Sequence, residues 1–205
     1  MAQSLFFFLV FSCLSFVLIL LNGCTGVAIG AGASVGTAAM EERGIRGVVD
    51  DTAIRIRLNG LLSKSDERLW RKISFQVHGG RVLLTGIVET PEMRVMAVRL
   101  AWGAEGVTEV INEILIGESG GVLGLGRDLL ISTKLKSRLL FDKEILSINY
   151  SIETVEGIIF LIGIAQNREE LDRVLNHARS LDYVRKVKNY VIIKRTERHG
   201  SNTAN

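Results

Sequence analysis

From residue 41 onward the apolar positions fall into short periodic runs. Ile54, Leu58, Leu61 and Leu62 recur at steps of three and four, one face of an amphipathic helix, and Asp50-Asp51 reads as its start signal. Ile73, Phe75 and Val77 then alternate with Ser74 and Gln76. Gly79-Gly80 makes a turn and Val82-Leu83-Leu84-Thr85-Gly86-Ile87 returns, which predicts a hairpin. Pro91 suits the first turn of a second helix, whose apolar positions Val95, Val98, Leu100, Ala101 and Trp102 run to Gly103 or Gly106. A last strand over residues 107–116 closes the unit.

The same order returns at an offset of 77 residues without a gap. Asp51 falls on Asp128, Ile54 on Ile131, Leu58 on Leu135, Leu62 on Leu139, Gly80 on Gly157, Gly86 on Gly163 and Asn112 on Asn189. The expected fold class is therefore α+β, two tandem units, each helix-strand-strand-helix-strand. The first spans residues 47–117 and the second 127–195, with a Gly-rich linker over 118–126 and a flexible polar tail over 196–205.

The amino end has a different texture. Residues 5–21 are uncharged and almost wholly apolar, and Leu21-Asn22-Gly23-Cys24 follows. A small residue directly before a cysteine at the end of an apolar run resembles the lipobox of bacterial lipoproteins. That resemblance implies a lipoprotein signal peptide over 1–23 and lipidation, with palmitate among the acyl chains, at Cys24. Thr25 stands where an aspartate would imply retention in the inner membrane, so the resemblance points to the outer membrane. Gly, Ala and other small residues over 25–39 then predict a flexible tether, which with the lipidated cysteine spans residues 24–46. With Cys13 removed in the signal segment, Cys24 is the one cysteine left and no intrachain disulfide is expected.

The unit order, the run Gly80-Arg81-Val82-Leu83-Leu84-Thr85-Gly86 and the later Gly106-Val107-x-x-Val110-x-Asn112 resemble the BON domain. The second copy repeats them as Gly157-Ile158-Ile159-Phe160-Leu161-Ile162-Gly163 and Val184-x-x-Val187-x-Asn189. Two such units behind a lipobox are similar to the dual-BON lipoproteins of the Gram-negative outer membrane. The resemblance implies envelope maintenance through binding anionic phospholipid, with the second unit's first helix as the contact and the protein facing the periplasm.

Composition and charge refine this picture. The formal net charge is only +3, too small for a strongly basic nucleic-acid binder, and no nucleic acid is expected as partner. The excess is localised: residues 41–127 hold 12 Lys+Arg and 12 Asp+Glu, residues 128–205 hold 13 and 10. Around the second unit's first helix, Ile131, Leu135 and Leu139 form the core stripe. Leu129, Leu130, Leu140 and Phe141 fall off that stripe, interleaved with Lys134, Lys136 and Arg138. The first copy has one large apolar residue on the matching ridge, Ile56. Leucines mixed with cations on an outward face are the pattern of an interfacial helix, so these seven residues are the expected phospholipid site.

Other chemistry is thin. His78, His177 and His199 have no cysteine or carboxylate at a metal-ligand spacing and read as surface histidines. No Ser, His and Asp set is suggested, so no catalytic residue, metal or cofactor is expected and the chain reads as non-enzymatic. Gly120-Gly121-Val122-Leu123-Gly124-Leu125-Gly126 lacks the strand and the Lys-Ser/Thr of a phosphate loop and reads as a linker that could still help hold a head group. The alternative function is a protein-interaction scaffold, tethered by its lipid, that docks other envelope proteins on the same apolar face.

Overall fold

A computed structural model describes residues 44–118 and 120–194. The expected signal peptide, Cys24, most of the tether, His199 and the tail lie outside them. The first unit comprises α1 (Gly44–Ser65), α2 (Glu67–Lys72), β1 (Ile73–His78), β2 (Arg81–Val88), α3 (Pro91–Trp102), β3 (Glu109–Asn112) and β4 (Leu115–Ile116). The second comprises α4 (Gly121–Phe141), a 3-10 turn (Ser147–Asn149), β5 (Tyr150–Val155), β6 (Ile158–Ala165), α5 (Arg168–Arg179) and β7 (Lys186–Ile193).

Both long helices begin earlier than the apolar period suggested. Helix α1 starts at Gly44, inside the expected tether, and α4 starts at Gly121, so residues 121–126 are helix where a linker was expected. Asp51 is accordingly no helix start. It lies within α1, and its carboxylate accepts the backbone N–H groups of Gly79 and Gly80, both at 2.8 Å. Asp128 does the same for Glu156 at 2.7 Å and Gly157 at 2.8 Å. Each unit thus clamps its hairpin turn to its first helix with one carboxylate, and two charge-assisted bonds hold the turn.

In each unit the hairpin is antiparallel and its second strand takes the last strand in parallel, giving orders β1-β2-β3, with β4 also on β2, and β5-β6-β7. The Val-x-Asn motif acquires a role here. Asn112 accepts the N–H of Ile114 at 3.2 Å and Asn189 that of Val191 at 3.0 Å, each two residues on, as Asx turns do. In the first unit this bend separates β3 from β4; in the second the strand continues as β7.

Burial alternates along the central strands in a way that defines the layers. Val82, Leu84 and Val88 of β2 pack with Ile54, Leu58, Leu62, Ala97 and Ala101 under α1 and α3. Ile159, Leu161 and Ala165 of β6 pack with Ile131, Leu135, Leu139, Leu171 and Val174 under α4 and α5. The intervening residues, Leu83 of β2 and Phe160 and Ile162 of β6, form a third cluster with Ile111 and Val155. The two sheets therefore pack face to face, with helices on both outer sides. Strands buried on both faces need near-continuous apolar sequence, which accounts for Ile158-Ile159-Phe160-Leu161-Ile162.

Polar contacts across this interface join positions equivalent in the two copies. Gln76 donates to Glu153 at 3.4 Å, a separation of 77 residues, and the Tyr190 hydroxyl donates to Glu113, again 77 apart. Lys188 also pairs with Glu113, and Arg81 donates to the Tyr190 carbonyl at 2.8 Å. Equivalent positions meeting one another mean that an approximate two-fold axis relates the units.

Candidate functional site

Helix α4 turns Ile131, Leu135 and Leu139 into the core, as its period requires. The remaining two thirds of its circumference faces solvent. All four apolar residues expected off the core stripe are exposed, from Leu130 at 47% to Phe141 at 80%.

The three expected cations differ in their surroundings. Lys134 makes no hydrogen bond or ion pair among the described residues, so its ammonium is available to a ligand. The Arg138 guanidinium donates to the Ser180 hydroxyl at 2.7 Å, which holds it toward α5. Lys136 lies near Glu153, whose carboxyl is raised by burial and drawn back down by the Gln76 hydrogen bond and then by Lys136.

Reading residues 118–126 as linker hid three members of this face. Val122 is 87% exposed, and Leu123 and Leu125 are nearly as open, so α4 carries its outward apolar surface from the first turn to the last. Arg127 adds a cation, stacked over the Tyr183 ring at 5.3 Å from its centroid. The repeat itself held the signal for this corner. Tyr183 and Glu156 stand where the first copy has Gly106 and Gly79, and both keep the left-handed backbone of those glycines, at φ 65° and 51°. They are the non-glycine residues with positive φ among those described. Backbone strain of this kind collects at functional sites.

The start of α4 is not a phosphate cradle. Glu156 directs its carboxylate at the N–H of Gly120, 2.8 Å away, so an anion already occupies the positive end of the helix dipole.

At the other end of α4, Asp142 accepts from His177 at 2.8 Å and from Arg173 at 3.1 Å. The His177 hydrogen bond, then the Glu144 N–H, then Arg173 hold its carboxyl down at about 2. A depressed carboxyl contributes stability above its unfolded value near 4, lost as pH falls from there toward 2. A pH titration of the Asp142 carboxyl carbon by NMR is expected to show a midpoint near 2, moving up toward 4 in His177→Ala. His177 is thus half-buried and engaged, and His78 is buried, so neither is the surface histidine the sequence suggested. Among the described residues no three His, Cys, Asp or Glu side chains are grouped to hold a metal.

The fold and this face define a duplicated α+β module that presents the first helix of its second copy outward. Residues 50–118 and 127–195 each match the BON domain, and the chain belongs to the BON-domain family, with two domains in tandem. It is 38% identical over 150 residues to an uncharacterized protein in the gshII 5′ region of Anaplasma centrale, covering 73% of this chain and 98% of the relative. It is 35% identical over 158 residues to the 21 kDa hemolysin of Actinobacillus pleuropneumoniae, covering 76% and 81%. It is 27% identical over 146 residues to the outer membrane lipoprotein DolP of Haemophilus influenzae, covering 71% and 76%.

Proposed function

We propose that this protein is an envelope lipoprotein of the outer membrane, anchored through Cys24 and facing the periplasm. Its second BON domain binds anionic phospholipid along α4 and so supports the integrity of that membrane. The observation that carries the reading is the outward face of α4, where Leu129, Leu130, Leu140 and Phe141 alternate with Lys134, Lys136 and Arg138 and are continued by Val122, Leu123 and Leu125. The equivalent ridge of α1 offers Ile56 as its one large exposed apolar residue among those described. The likeness to an outer membrane lipoprotein supports the location.

Magnitudes make the contact reversible. A cation near an anionic surface contributes roughly 1 kcal/mol, and a leucine that becomes fully buried roughly 1.5–3 kcal/mol. Ordering costs subtract from both. A lipid on Cys24 changes that balance, since an anchored chain keeps head groups at high local concentration.

Flotation of residues 41–205 with vesicles tests the reading. Binding to vesicles containing anionic phospholipid, weakened by salt and absent on neutral vesicles, is the expected result. Leu130→Asp with Lys134→Glu should reduce the bound fraction at least tenfold. Unchanged binding by that double variant overturns the assignment to α4. Absence of binding to either vesicle favours the alternative, a tethered scaffold that docks a protein partner on the same face.

A further inference from the structure

The two domains differ on a second surface, which the lipid reading does not use. Helix α3 carries Glu92, Val95, Met96, Arg99 and Trp102 at steps of three and four, one outward ridge of the helix. Val95, Met96 and Trp102 are all exposed, Trp102 at 55%. The sister helix α5 shows how the fold solvates this ridge. It places Asp172, Arg173 and Arg179 at the positions of Val95, Met96 and Trp102. Two of its charged side chains also pair within the chain, Arg168 with Asp172 at 3.2 Å and Arg173 with Asp142 at 3.1 Å. On α3 neither Glu92 nor Arg99 has an ion pair among the described residues. The apolar ridge is therefore no requirement of the BON fold.

The order of groups on the ridge identifies what fits it. An acid lies near one end, a base seven residues on, and two apolar side chains between. Under a two-fold axis passing between residues 95 and 96, an antiparallel copy of the same helix sets Glu92 against Arg99, Val95 against Met96, and Arg99 against Glu92. Both ridge charges then meet their opposites, and Trp102 falls against the segment just before the opposing helix, opposite residue 89. We propose that α3 is a self-association surface and that its occupant is α3 of a second copy of this chain.

A contact of about three helical turns is smaller than the roughly 800 Å² per partner of a stable dimer. The dimer is accordingly weak in solution. Helix α3 packs on the first domain's core and α4 on the second's, with both sheets between them. Lipid contact and self-association use opposite outer faces.

The test is sedimentation of the full-length chain in detergent micelles across a wide concentration range, with circular dichroism to confirm folding. A concentration-dependent dimer is expected. Arg99→Glu and Glu92→Arg should each weaken it at least tenfold, by setting like charges together at two symmetric places. The double charge swap should restore it, a rescue that only a second copy in this register produces. Trp102→Arg, which installs the residue that α5 carries at Arg179, should also weaken it. A chain that stays monomeric at every concentration overturns the proposal and leaves the ridge to a different protein or a lipid surface. A dimer indifferent to these variants, or singles that fail without rescue in the double, overturns it too.

Discussion

Replacing Gly86 by alanine is expected to destabilise the protein by about 3–5 kcal/mol, the range of the most disruptive single substitutions. Gly86 pairs with Ile73 across the hairpin at φ 126°, a conformation L side chains rarely adopt. A Cβ there would lie 2.0 Å from the carbonyl oxygen of Lys72 and 3.1 Å from its carbon. Both are backbone atoms, so the clash cannot be relieved by a rotamer. The strand must withdraw, and with it the β1–β2 ladder over which α1 packs. Urea unfolding followed by circular dichroism checks this, and a shift smaller than about 0.5 kcal/mol would mean that residues 72–73 move at little cost. Gly163 presents the same obstacle, a Cβ 2.1 Å from the Asn149 carbonyl oxygen, so its alanine variant should behave alike.

The second large effect is expected at Asp51. Its carboxylate is buried and holds two backbone amides of the β1–β2 turn. Alanine would leave the buried Gly80 N–H unsatisfied and the exposed Gly79 N–H to solvent, at about 3 kcal/mol for the lost pair of charge-assisted bonds. Asparagine offers one oxygen and turns an amino group toward the other donor, so it should recover only part of the loss. Amide hydrogen exchange gives a local readout: the Gly79 and Gly80 amides should lose protection before the core of β2 does. Asp128 is half-buried and its removal should cost less, although its geometry is the same. Equal losses at both positions would show that burial does not set the size of the effect.

The elements that bury one clean stripe were legible in the sequence. Ile131, Leu135 and Leu139 repeat the spacing of Ile54, Leu58 and Leu62, and all six are core. Pro91 stands at the first turn of α3 behind a Thr90 cap, as its fixed φ suggests. What the period does not report was missed. The early turns of α1 and α4 contain glycines, poor helix formers, and precede the periodic apolar stripe, so propensity argued against helix there. In α4 the Glu156 carboxylate, distant in sequence, supplies the cap. Helix α2 is six residues long with Leu69 alone buried, too short to show any period. The outward site followed the same division. Leu129, Leu130, Leu140 and Phe141 were readable because they break a known stripe, whereas Val122, Leu123 and Leu125 precede the first core residue and had no stripe to break. The sheet-to-sheet interface left only the doubly apolar strands as its trace, because Glu113, Lys188 and Tyr190 meet through folding alone.

That interface has a consequence for how this chain can be divided. At the axis, position 113 is glutamate and its counterpart 190 is tyrosine; position 76 is glutamine and its counterpart 153 glutamate. Two copies of the first unit alone would set Glu113 against Glu113, two acids at one closely packed point. Two copies of the second would set Glu153 against Glu153. Joined in one polypeptide, the halves have acquired a donor on one side for each acceptor on the other. Cut apart at the junction near residue 119, they should select each other over themselves, as a lock selects the key of its own pair.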